Sequence, residues 1–143
     1  MIVKETKCNK DILKILNDND IYERMASDDI KGKKPKVSFK FKKYIGCYVD
    51  NKIVGVCIYR KFDKGSVVHF YVLPEFRKSC ATDFAKQCLN FRPEGELFAI
   101  TPKCFREVIK FAISIGFERV GIHEEEFTKN NINYKQVITR FNQ

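Results

Sequence analysis

No stretch of this sequence approaches the ~20 apolar residues that a membrane-crossing helix needs, and the first residues, MIVKETKCNK, lack the apolar centre of a signal peptide. A soluble cytosolic protein with no membrane partner is therefore the expectation. No two of the six cysteines stand two to four residues apart, which removes the usual zinc spacings, so no metal is expected. The sequence has no GxxxxGK[ST] phosphate loop and no serine–histidine–acid order. It also lacks internal repeats, low-complexity linkers and any prominent carboxylate pair. Each absence removes a class of activity, and what remains is a basic chain rich in aromatics.

Thirteen phenylalanines and six tyrosines supply large apolar area, so the 143 residues are long enough for a single domain, 1–143, around one core. Cys47, Cys57 and Cys88 lie among apolar residues and read as buried, reduced thiols. Cys80 and Cys104 stand beside basic residues near expected helix starts, surroundings that lower a thiol pKa. The formal net charge is +9, and much of it is local. Lys31, Lys33, Lys34, Lys36, Lys40, Lys42 and Lys43 follow one another with no acid between. That run suits a phosphate-bearing or acidic partner, such as an acidic protein surface or nucleic acid, or else forms a solvated loop. No nucleic-acid reading element accompanies it.

Residues Ile2 to Lys7 suit a strand. Asn9 suits a helix cap ahead of Ile12, Leu13, Ile15 and Leu16, and a second short helix is expected from Ile21 to Ala26. Tyr44–Val49 and Ile53–Phe62 read as a hairpin about the turn Asp50-Asn51-Lys52, and Val67–Leu73 as a covered strand that ends at Pro74. Ala81, Phe84, Ala85, Cys88 and Leu89 share a helical face. After a strand at Leu97–Ile100, Phe105, Val108, Phe111, Ala112 and Ile115 make a second helical stripe, stopped by Gly116. Strands at Phe117–Ile122 and Ile132–Phe141 close the order. The fold class is α/β (α+β): a mixed, mostly antiparallel sheet of about six to seven strands flanked by about four helices.

The most informative segment is Val72–Thr82, VLPEFRKSCAT, in which a strand stops at a proline and a basic turn opens a helix. A helix start offers unpaired amides and the positive end of a dipole, which suits a pyrophosphate. With Lys52–Val56 (KIVGV) and Phe111–Phe117 (FAISIGF), this segment resembles the GNAT acyltransferase family over roughly residues 44 to 122. The resemblance implies an N-acyltransferase that moves an acyl (acetyl) group from acyl-CoA, the only cofactor expected, to an amine acceptor. It places the pantetheine along Tyr71, Val72 and Leu73, and the pyrophosphate on Arg77, Lys78, Ser79, Cys80, Ala81 and Thr82. Cys80 and Thr82 stand where the family has small residues, and a side chain at Cys80 is strained if that position has φ > 0.

Ser66, Ala112 and Phe105 occupy positions where many members carry the glutamate, tyrosine and asparagine of the chemistry. His69 is the substitute candidate for proton transfer, with Tyr71 on the same strand face as an acid; a hydrogen-bonded core role suits the same histidine. His123, beside Glu124, Glu125 and Glu126, suits a surface salt link. The lysine-rich segment falls where the family often forms its acceptor site. Two alternatives remain open. One is an inactive GNAT-like fold used as a binding or phage virion assembly module, since Ile115–Thr128 resembles the end of a phage internal virion protein. The other is a protein that binds or modifies nucleic acid.

Overall fold

The computed structural model describes residues 1–142. Its centre is one seven-stranded sheet in the order β1-β2-β3-β4-β5-β7-β6. The strands are β1 (Ile2–Glu5), β2 (Lys42–Val49), β3 (Lys52–Phe62), β4 (Gly65–Val72), β5 (Leu97–Pro102), β6 (Phe117–Lys129) and β7 (Ile132–Phe141). The helices are α1 (Asn9–Leu16), α2 (Asn19–Met25), α3 (Arg77–Cys88) and α4 (Arg106–Ser114). Every neighbouring pair is antiparallel except β4 and β5.

Both faces of the first four strands are covered, which explains the near-continuous apolar run of β3. On one face Ile12, Ile15, Leu16 and Ile21 from α1 and α2 pack on Tyr44, Val56 and Ile58. On the other, Phe84, Ala85 and Cys88 of α3 and Ala112 of α4 pack on Ile45, Cys57, Tyr59 and Val68. The buried Tyr59 hydroxyl donates to the Cys88 carbonyl at 2.6 Å and so ties β3 to the end of α3.

Asp50 and Asn51, with φ of 51° and 64°, form the two-residue turn of the β2–β3 hairpin, and Lys52 already belongs to the strand. The N-cap of α1 is Cys8, so Asn9 lies inside the helix. Helix α2 starts before Ile21 because the Asp18 side chain accepts from the Ile21 N–H at 3.2 Å. Phe105 (φ −95°, ψ 65°) lies outside α4; of the expected stripe Ala112 and Ile115 are buried, while Val108 is 40% exposed and Ile109 is buried instead. Strand β6 continues well past Ile122, through the acidic residues, because one face of this part of the sheet is open to water.

The tip of the β6–β7 hairpin returns to the N-terminal helices. Its turn residues Asn130 and Asn131 donate their N–H groups to the two Asp28 carboxylate oxygens at 2.9 Å each, and the Asp28 N–H donates to the Thr128 carbonyl at 2.8 Å. Lys129 reaches the carbonyls of Glu23 and Ala26. The Asn131 and then the Asn130 amide hold the Asp28 carboxyl below its ordinary pKa.

Candidate active site at the parting of β4 and β5

Strands β4 and β5 pair only at Ser66–Leu97 and Val67–Phe98. Gly65 permits their approach, because a Cβ there would lie 2.2 Å from the Glu96 carbonyl oxygen. The Ser66 N–H donates to that oxygen at 2.9 Å, while the Leu73 N–H donates to Val54 on the opposite edge of β4. Strand alternation then turns the N–H and C=O of Ser66, Val68, Phe70 and Val72 toward β5. Beyond Val68 the ladder has stopped. The Phe70 amide and carbonyl and the Val72 amide therefore face the gap without a strand partner.

The gap is bordered by a cavity of about 300 Å³ walled by Arg60, Phe62, His69, Ile100, His123, Glu125 and Gln136. The cross-strand pairs Ile58–His69 and Arg60–Val67 put Arg60 diagonal to His69 on the same face. Burial pushes the His69 pKa down to about 4, and the positive charges of Arg60 and Lys42 add to that effect. The ring is neutral near pH 7 and holds a lone pair, at the expense of basicity.

Tyr71 stacks on His69 with ring centroids 6.1 Å apart and planes within 5°. Burial pushes its phenol up to about 12, so it stays protonated. Tyr71 packs with Leu73 against the cluster under α1 and is not among the residues that wall the cavity. His123 does not make the expected salt link: among the described residues its ring Nδ1 accepts from the Glu125 N–H at 3.2 Å. The ring joins His69 as a wall of the same cavity. Arg60 and His123 thus line the candidate cavity although sequence reasoning did not select them; only the β3–β4 and β6–β7 registers could have found them.

At the mouth of the gap, a tight turn at Pro74–Phe76 leads directly into α3, so Arg77–Thr82 is the first turn and a half of the helix. Cys80 has no positive φ, so the condition for strain there is not met. The Arg77 side chain is already occupied. Its Nε donates to the Val72 carbonyl at 3.0 Å, and an Nη donates to Asp20 at 2.5 Å. That hydrogen bond, with the charges of Arg77 and Arg24, holds Asp20 below its usual carboxylate range. Lys78, Ser79 and Thr82 are exposed, while Cys80 and Ala81 are half-buried.

The lysine-rich segment divides. Lys31, Lys33, Lys34, Lys36 and Lys40 are exposed ahead of β2. Lys42 lies on the His69 face, paired with Arg60, and Lys43 on the other face donates to the Phe91 carbonyl at 3.0 Å. Cys47, Cys57 and Cys88 are buried free thiols, and burial pushes Cys47 up to about 12 and raises Cys88 further. Cys104 shifts upward too, against the lowered pKa expected of it, because desolvation outweighs the charge of Lys129. No three His, Cys, Asp or Glu residues cluster as metal ligands among the described residues.

No family profile and no curated protein sequence matches this chain. Solved structures do. The protein smu.2055 from Streptococcus mutans superposes with a TM-score of 0.79 at 14% identity over 99% of both chains. A spermidine N-acetyltransferase SpeG mutant from Vibrio cholerae gives 0.75 at 11% identity, covering 99% of this chain and 94% of that one. A ribosomal-protein-alanine N-acetyltransferase from Brucella melitensis gives 0.70 at 14% identity over 98% of both. The antiparallel strands, the parting of β4 from β5 and the helix at the mouth of that gap thus make up the fold of the GNAT N-acetyltransferases.

Proposed function

We infer that this protein is an acyl-CoA-dependent N-acyltransferase. The observation that carries the reading is the unpartnered edge of β4. The Phe70 N–H and C=O and the Val72 N–H face a gap into which an amide-bearing chain fits as an added strand. The pantetheine arm of CoA carries two such amides. Its pyrophosphate then meets the start of α3, with Lys78 as an exposed cation and Ser79 and Thr82 as exposed hydroxyls. Arg77 supports this end of the site from behind, since its guanidinium ties the end of β4 to α2.

In the reaction, the acceptor amine attacks the thioester carbonyl carbon. The C–N bond forms, the C–S bond breaks, and the proton shed by nitrogen ends on the departing sulfur. His69 is the side chain suited to relay that proton, because it is neutral and faces the cavity. A base with a pKa of about 4 is weak, so placement of amine against thioester supplies most of the rate. Tyr71 contributes to holding the His69 ring rather than to acid catalysis, given its packing and its pKa of about 12.

Calorimetric titration with acetyl-CoA tests the reading. Saturable binding that weakens in Lys78→Ala and at higher salt is expected. Absence of binding at millimolar acetyl-CoA refutes it.

A further inference from the structure

We propose that the acceptor is a small primary amine bearing a carboxylate, which Arg60 holds in the cavity beside the β4–β5 gap. The proposal rests on the acyltransferase reading for its chemistry and on the cavity for its substrate class. Arg60 walls the cavity, and among the described residues no carboxylate lies within ion-pair distance of it. Its planar fork matches a carboxylate in two parallel hydrogen bonds. Lys42 stands opposite it in the β2–β3 register and adds charge of the same sign. Among the described residues that line the cavity, Glu125 is the one acidic residue, which suits the ammonium end of the same molecule.

The spacing fits a short zwitterion. Arg60 and His69 lie diagonally across two paired strands, a separation of about 7–8 Å and somewhat less between their Cβ atoms. A carboxylate on the guanidinium leaves the amine within reach of the His69 ring and of the thioester in the gap. The ammonium first gives one proton to water; nitrogen then bonds to the carbonyl carbon as the C–S bond breaks, and its second proton leaves with the thiol. The volume sets the size: about 300 Å³ holds about ten non-hydrogen atoms at the volume a liquid water occupies. A polyamine is disfavoured, since its charges would meet Arg60 and Lys42 on a chain of net charge +9.

The test compares L-leucine with isoamylamine, which lacks only the carboxylate, and with spermidine. Binding is first measured by calorimetry without CoA. Leucine should bind, isoamylamine about tenfold or more weakly, and spermidine not detectably. Arg60→Gln should erase the preference, and Arg60→Lys should keep part of it. The proposal is overturned if isoamylamine or spermidine binds as well as leucine, if Arg60→Gln discriminates as the parent does, or if no ligand binds at about 10 mM. Thiol release from acetyl-CoA is then followed with leucine present. Leucine bound through Arg60 with no thiol released refutes the acyltransferase reading and leaves the carboxylate site standing.

Discussion

Gly65→Ala should damage this protein out of proportion to one added methyl. The new Cβ would sit 2.2 Å from the Glu96 carbonyl oxygen and 3.0 Å from its carbon, both backbone atoms that no side-chain rotation can move. An ordinary carbon–oxygen contact lies near 3.3 Å, so the strands must separate by about 1 Å. They are joined at only two register positions, and the Ser66 to Glu96 hydrogen bond at 2.9 Å is the first to stretch. Overpacking costs about 1–3 kcal/mol and the lost bond about 1 more, which gives about 2–4 kcal/mol in all. Unfolding entropy for 143 residues is about 0.3 kcal/mol per degree, so Tm should fall by about 7–13 °C. Gly121→Ala is the matched control, because a Cβ there meets nothing within 4 Å. Urea and thermal unfolding of both variants decide the matter. A Gly65→Ala protein within about 0.5 kcal/mol of the parent would show that β4 and β5 are not held together at this point.

Three further outcomes are expected. Folded His69 resists protonation until about pH 4, whereas the unfolded ring takes a proton near 6.5. Stability is therefore complete above about pH 6.5 and declines by at most about 3 kcal/mol as pH falls to 4; His69→Phe should flatten that slope in unfolding measured against pH. Tyr59→Phe removes the buried hydrogen bond to the Cys88 carbonyl and should cost about 1 kcal/mol in chemical denaturation, while acetyl-CoA affinity stays unchanged. Arg77→Ala should lower stability more than it lowers CoA affinity, and Asp20→Asn should reproduce the stability loss; the Asp20 contribution is present above about pH 4, fades as pH falls below it, and weakens with salt.

Local signals in the sequence were legible because their physics is local. Asp50-Asn51 marks its hairpin, Pro74 ends β4, and Gly116, with φ of 110°, stops the last helix. Those three points fix the element order, and the order fixes the fold. The site was legible where one strand carries it: His69 and Tyr71 share a face as alternation requires. It was illegible where strands meet. Arg60 enters the cavity through its register with Val67, and His123 through its register with Gln136 across two bulges. The role of Arg77 depends on Asp20, a residue on another helix. The strain that a positive φ would bring at Cys80 does not arise, because that position is already helix.

The strand order carries a consequence for how the chain is assembled. β7 follows β6 in sequence yet lies between β5 and β6. During synthesis β6 therefore emerges with no sheet neighbour, and β5 waits with an open edge until the last strand arrives. The far wall of the cavity, with His123, Glu125 and Gln136, comes into being only at that moment. Asp28, made about a hundred residues earlier, then accepts the hairpin tip. Such late, long-range pairing is intrinsically slow, so a nascent chain that misses it would present β5 as a sticky edge to its neighbours.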